Sequence, residues 1–139
     1  MGGGHYNFAS RSTRSLAKGY DRVSTASMGD VFKQKSLGKI HESLDPNGVN
    51  IRESRDSEEH PESFPIMIGL DMTASMGNVP VQLIKDGLPN MIQKIFDHGI
   101  QHPQVALVGI GDHECDRAPI QVGQFESSYE ALDYTLKTI

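Results

Sequence analysis

The sequence predicts an α/β fold, a partial parallel sheet in βαββα order behind a long polar arm, and three observations carry that prediction. Two short continuous apolar runs, Ile66-Met67-Ile68-Gly69-Leu70 and Val105-Ala106-Leu107-Val108-Gly109-Ile110, have the length and composition of buried strands. Between them Val81, Ile84, Leu88, Met91, Ile92, Ile95 and Phe96 recur at spacings of three and four, the stripe of an amphipathic helix. Strand, helix and strand in this order form a βαβ unit, whose crossover is right-handed. Everything before residue 63 lacks such periodicity.

The arm divides by charge. Residues 1–40 hold seven basic and two acidic side chains, whereas residues 41–62 hold seven acidic and two basic ones. Gly, Ser, Lys and Arg dominate the first part, and such a composition buries too little apolar surface to offset the entropy of ordering it. Residues 1–62 are therefore expected to form a largely disordered arm, basic and then acidic, with a short helical turn near Val31-Phe32. Asp45-Pro46-Asn47-Gly48 has the residues of a tight turn. Val49 to Ser54 alternates weakly, as a short edge strand would. Arg55 to Glu62 is an extended lead-in to the domain at 63–139.

Within that domain Pro80 suits the first turn of the helix. Pro89 predicts a kink or restart near Gly87-Leu88, and Gly99 predicts the helix end. Ile120 to Phe125 alternates with period two and predicts a one-sided strand near a sheet edge. Ser127 or Ser128 caps a last helix, with Glu130 placed for a capping box with Ser127, and Leu132, Leu136 and Ile139 continue its apolar face. The pattern is still running at Ile139, which predicts that the chain carries the N-terminal portion of a larger sheet.

Composition narrows the function. The chain has 139 residues, 37% of them hydrophobic, and a net charge of −5, which excludes a globally basic nucleic-acid binder. A single cysteine, Cys115, excludes an internal disulfide. No apolar run approaches the roughly 20 residues of a membrane span, and the first residues lack a signal-peptide core. The sequence thus predicts a soluble protein of the cytoplasm, or of the host cytoplasm if viral, with no membrane partner.

The chemistry sits where open α/β sheets bind ligands, at the carboxyl ends of the strands. The first end reads Asp71-Met72-Thr73-Ala74-Ser75-Met76-Gly77, and the second Asp112-His113-Glu114-Cys115-Asp116. A carboxylate and two hydroxyls on a strand-to-helix turn suit a hard cation such as Mg²⁺. The bland alternative is a Ser/Thr cluster at a helix start. Asp112 is the candidate at the second end, in a supporting role. His113, Glu114 and Cys115 lack the ligand spacing of a zinc site, and nothing identifies a base for a Cys115 nucleophile. His98 and His102 read as surface groups near a helix end.

An apolar strand, Asp71-x-Thr73-x-Ser75-Met76-Gly77 and an amphipathic helix together resemble the von Willebrand factor A-type domain. That family opens its metal-ion-dependent adhesion site with Asp-x-Ser-x-Ser. Thr73 keeps the hydroxyl, and Ala74 stands where Gly is frequent. Arg52 to Ser57 with Glu59-His60-Pro61 is also similar to the lead-in of phage and bacterial members. The resemblance, over residues 64–139, implies a Rossmann-like sheet of which this chain holds part. It implies Mg²⁺ or Mn²⁺ bound by Asp71, Thr73 and Ser75, beside which Asp112 is the metal-site candidate read from the second strand end, and a protein partner that offers a carboxylate to the metal. The family adds a Thr from a later loop and an Asp from a later strand, for which this sequence offers no candidate. The implied function is a non-enzymatic, metal-dependent interaction module. Two alternatives stay open: a metal-dependent phosphoryl-transfer enzyme with Asp71 as nucleophile, although Thr73 stands where such enzymes place a second Asp, and a nucleic-acid-associated protein that binds phosphates through the basic arm.

Overall fold

A computed structural model describes Phe32, Gln34 and residues 37–139. The expected disorder of the first residues and the helical turn at Val31 lie outside the described residues, as does most of the basic arm.

The structure is a small α/β fold built on a mixed three-stranded sheet in the order β1-β2-β3. The two apolar runs form β1 (Phe64–Asp71) and β2 (Pro103–Ile110), paired in parallel from Phe64↔Pro103 to Asp71↔Ile110. The connecting helix starts as α1 (Val79–Gln82), with Pro80 in its first turn. It widens into a π-helical stretch at Leu83–Gly87 and restarts as α2 (Leu88–Asp97). The restart falls where Pro89 removes a backbone donor. The Leu88 N–H accordingly reaches back five residues to the Leu83 carbonyl, the bond of a π-bulge. Gly99, at φ 76°, ends the helix as its position predicts.

Strand β3 (Ile120–Val122) runs antiparallel to β2 and is shorter than the predicted Ile120–Phe125. The chain leaves the ladder after Gly123 and rejoins it at Glu126, which exchanges two 2.9 Å backbone hydrogen bonds with Val105. Helix α3 (Tyr129–Thr138) follows, capped by Ser128, whose hydroxyl accepts from the Ala131 N–H; Ser127 is not the cap.

Three further expectations, about β1 and the lead-in, need correction. First, β1 is not buried on both faces. Leu70 is buried and Ile66 and Ile68 partly so, but Pro65, Met67, Gly69 and Asp71 line an exposed face, with Met67 62% exposed. Among the described residues β1 pairs with β2 alone, whereas β2, flanked on both sides, is buried from Pro103 to Gly109. Second, Val49–Ser54 forms no strand. This lead-in is held by one side chain instead. Gln104 accepts from the Arg55 N–H (3.1 Å) and the Ser54 hydroxyl (2.7 Å) and donates to the Arg55 carbonyl (3.0 Å), so its amide imitates a paired strand. Third, the turn at 45–48 is shifted by one residue. Val49 N–H bonds the Pro46 carbonyl, and Gly48 takes φ 78° at the third position, which suits glycine.

One core cluster joins Leu70 and Met72 with Val105 and Leu107 of β2, Val81, Ile84, Leu88 and Ile92 of the connecting helix, and Leu132, Leu136 and Ile139. It also takes in Phe32 and Leu44, both from the segment before residue 63, and Ile40 packs against it. A buried polar side chain complicates this interior. Gln121 is fully buried opposite Gly109, and among the described residues its amide has no hydrogen-bond partner. Such a group costs about 1–3 kcal/mol. The predicted one-sidedness of β3 is thus inverted, with Gln121 inside and Ile120 44% exposed.

Outside the core, the partly buried Glu126 has its carboxyl pushed above the usual glutamate range by burial. A carboxyl with a raised folded-state pKa weakens the fold as pH climbs from its unfolded value through its folded one. Glu126→Gln is therefore expected to raise the urea midpoint at pH 7. The gain should vanish below about pH 4, where both states of the wild type are protonated.

Candidate metal centre

The ladder between β1 and β2 extends one residue past the strand. The Met72 N–H donates to the Ile110 carbonyl at 2.7 Å. Met72 then drops fully buried into the core, over Gly109. A Cβ on Gly109 would stand 2.7 Å from the Met72 methyl, so glycine makes room for it. Because successive side chains of an extended chain alternate, a buried Met72 turns its neighbours Asp71 and Thr73 outward.

The chain next tightens into a single 3₁₀ turn at Ala74–Met76 and leaves it through Gly77 at φ 55°. This turn brings Ser75 back beside Thr73. The Asp71 Oδ1 accepts from the Thr73 N–H at 2.9 Å and from the Thr73 hydroxyl at 2.7 Å, and the Thr73 and Ser75 hydroxyl oxygens are 3.2 Å apart. Thr73 has only one hydroxyl proton, already given to Asp71, so in the last contact Ser75 donates. The three predicted oxygens are thus gathered in one chain of contacts, with Asp71 and Ser75 exposed and Thr73 half-buried.

These separations fit a hard-ion site. Mg²⁺ binds oxygens at about 2.0–2.1 Å in near-octahedral geometry, which puts neighbouring ligands about 2.8–3.0 Å apart. The observed 2.7 and 3.2 Å bracket that spacing. Donation to Asp71 also leaves the Thr73 oxygen more electron-rich, and so a better donor to a cation. The same contacts equally make a self-contained turn at a helix start. Among the described residues, no cluster of three His, Cys, Asp or Glu side chains is arranged to hold a metal. The oxygen set here is one carboxylate and two hydroxyls.

Asp112 lies at the same end of the sheet, two residues beyond Ile110, which pairs with Asp71. Its side chain serves its own loop: Oδ1 accepts from the Glu114 N–H at 2.8 Å. Its N–H donates to the Asp116 carboxylate at 2.8 Å. That carboxylate folds over Gly111, where a Cβ would stand 2.6 Å from it. The structure thus joins Asp71, Thr73 and Ser75 and shows no bond from Asp112 to them. His113 and Cys115 are exposed, and the His113–Glu114 pair is a loose 3.9 Å contact.

Sequence reasoning missed the anchor. Met72 stands inside a polar run, and only its apolar character among Asp and Thr signals that it turns inward. In comparisons with known proteins, no family model, curated protein or solved structure matches this chain. Among the described residues no helix is long and apolar enough to cross a membrane.

Proposed function

We propose that this chain is a non-enzymatic binding module in which Mg²⁺ or Mn²⁺, held at the end of β1, bridges to a carboxylate of a protein partner. The observation that carries the reading is the convergence of Asp71, Thr73 and Ser75 at near-octahedral spacing. Thr73 and Ser75 would coordinate through their hydroxyls, and Asp71 would hold the ion and fix Thr73. Asp112 would act from the neighbouring loop. One carboxylate with two neutral hydroxyls leaves the ion with net positive charge, which favours capture of an external acid. This is the arrangement implied by the resemblance to von Willebrand factor A-type domains.

The surroundings suit a protein partner. Asp71, Ile110 and Ile120 occupy adjacent register positions across the three strands on the open face of the sheet. Ile110 is 43% and Ile120 44% exposed. A partner that placed a carboxylate on the ion would also cover this apolar row, and desolvating the site would strengthen the electrostatic contact.

Calorimetric titration with Mg²⁺ tests the assignment. Wild-type protein is expected to bind one ion at this site, and Asp71→Ala to weaken that binding by roughly 100-fold, the upper range for losing a supporting partner. Equal affinity in the two proteins would defeat it.

A further inference from the structure

At the opposite end of the sheet, His60 of the lead-in meets His102, the residue before β2. Their Nδ1 atoms are 3.3 Å apart and the rings stand edge to face at 69°. Both are partly buried, and the backbone is built to bring them together. His102 has φ 51°, the only non-glycine residue at positive φ among the described residues. Such a conformation is strained for most side chains and marks positions held by their surroundings. Its carbonyl accepts from the Phe64 N–H at 2.9 Å, where β1 begins. His60 is fixed in turn by a closed loop with Ser57, whose carbonyl and hydroxyl both accept the His60 N–H at 3.1 Å.

At 3.3 Å the two nitrogens are at the outer reach of a hydrogen bond, one ring donating and the other accepting. The same spacing matches two nitrogens on one tetrahedral ion: Zn–N bonds of about 2.0–2.1 Å place them about 3.3–3.4 Å apart. The neighbouring cleft, about 510 Å³, is lined by Asp56, Glu62, Ser63, Phe64, Ile100 and Gln101 and by neither histidine.

We propose that His60 and His102 form a second metal site, selective for a borderline transition-metal dication such as Zn²⁺, bound through both Nδ1 atoms. Imidazole nitrogens favour such ions, whereas the all-oxygen site at Asp71 favours Mg²⁺. Among the described residues no third His, Cys, Asp or Glu completes a ready-made cluster, so water fills the remaining positions and the ion exchanges. In binding, the imidazole that carries its proton on Nδ1 shifts it to Nε2, and each ring then presents a lone pair. The bound ion clasps the lead-in to the start of β2, beside the bonds from Gln104 to Ser54 and Arg55.

The test is a Zn²⁺ titration of the 139-residue chain by calorimetry, paired with thermal melts with and without Zn²⁺. His102→Asn suits the left-handed backbone, and His60→Asn alters the other partner. Wild type is expected to bind one Zn²⁺ at this site and to melt higher with it. Each Asn variant should lose roughly 10–100-fold in affinity and the thermal shift, while melting without Zn²⁺ as the wild type does. Asp71→Ala should bind Zn²⁺ unchanged, which separates this site from the proposed Mg²⁺ centre. Zn²⁺ affinity unaltered in both His variants, or lost in a His113→Asn/Cys115→Ser control instead, would overturn the proposal.

Discussion

Leu107→Ala is expected to lower the unfolding free energy by about 3 kcal/mol, within the 2–5 kcal/mol usual for a buried leucine truncated to alanine. Leu107 is fully buried in the middle of β2, which has a strand on each side. It belongs to the cluster that joins the sheet to both helical regions. Its backbone also holds the exit of β3, because its carbonyl accepts from the Gly123 N–H at 2.8 Å. The site cannot collapse inward easily when flanked on both sides, so much of the cavity should persist. Small domains have only about 5–15 kcal/mol of stability in total, so the urea midpoint should fall sharply. Met67→Ala, on the exposed face of β1, should change stability by less than about 0.5 kcal/mol. Similar midpoints for the two variants would mean that β2 does not carry the core.

Thr73→Val should abolish most divalent-ion binding with little loss of fold. Valine keeps the shape and the backbone N–H that donates to Asp71, and removes only the hydroxyl. That hydroxyl is the middle member of the three, so its loss removes one ligand and separates Ser75 from Asp71. A drop in Mg²⁺ affinity of roughly 100-fold is expected, with Thr73→Ser restoring most of it. Because Thr73 is only half-buried, the thermal midpoint should move little. Affinity retained in Thr73→Val would show that the hydroxyl forms a turn and nothing more.

The sheet's parallel pair was legible because apolar runs and three-and-four spacing report local burial directly. Pro89 and Gly99 marked the restart and end of the helix through backbone chemistry that does not depend on distant residues. The proximity of Asp71, Thr73 and Ser75 was legible for the same reason, since all three lie within five residues on one strand-to-helix turn, but the inward turn of Met72 that faces Asp71 and Thr73 outward was not. What escaped the sequence is set by long-range pairing. The open face of β1 depends on which strands flank it, and an apolar run reads the same at an edge as in the middle. Gln104 gives no sign that it grips Arg55, 49 residues earlier. Phe32 and Leu44 enter the core from a segment whose composition alone suggests none, because single apolar anchors carry no periodicity. His60 and His102 lie 42 residues apart and meet only once the strands are in register.

The account turns on whether those three oxygens share an ion. Crystals grown with Mn²⁺ and measured at an anomalous wavelength test this most directly. The expected result is a peak about 2.1–2.2 Å from the hydroxyl oxygens of Thr73 and Ser75, with the Asp71 carboxylate beside it, directly or through water. Mn²⁺ found only elsewhere, with the Asp71–Thr73–Ser75 contacts as they stand here, would contradict it.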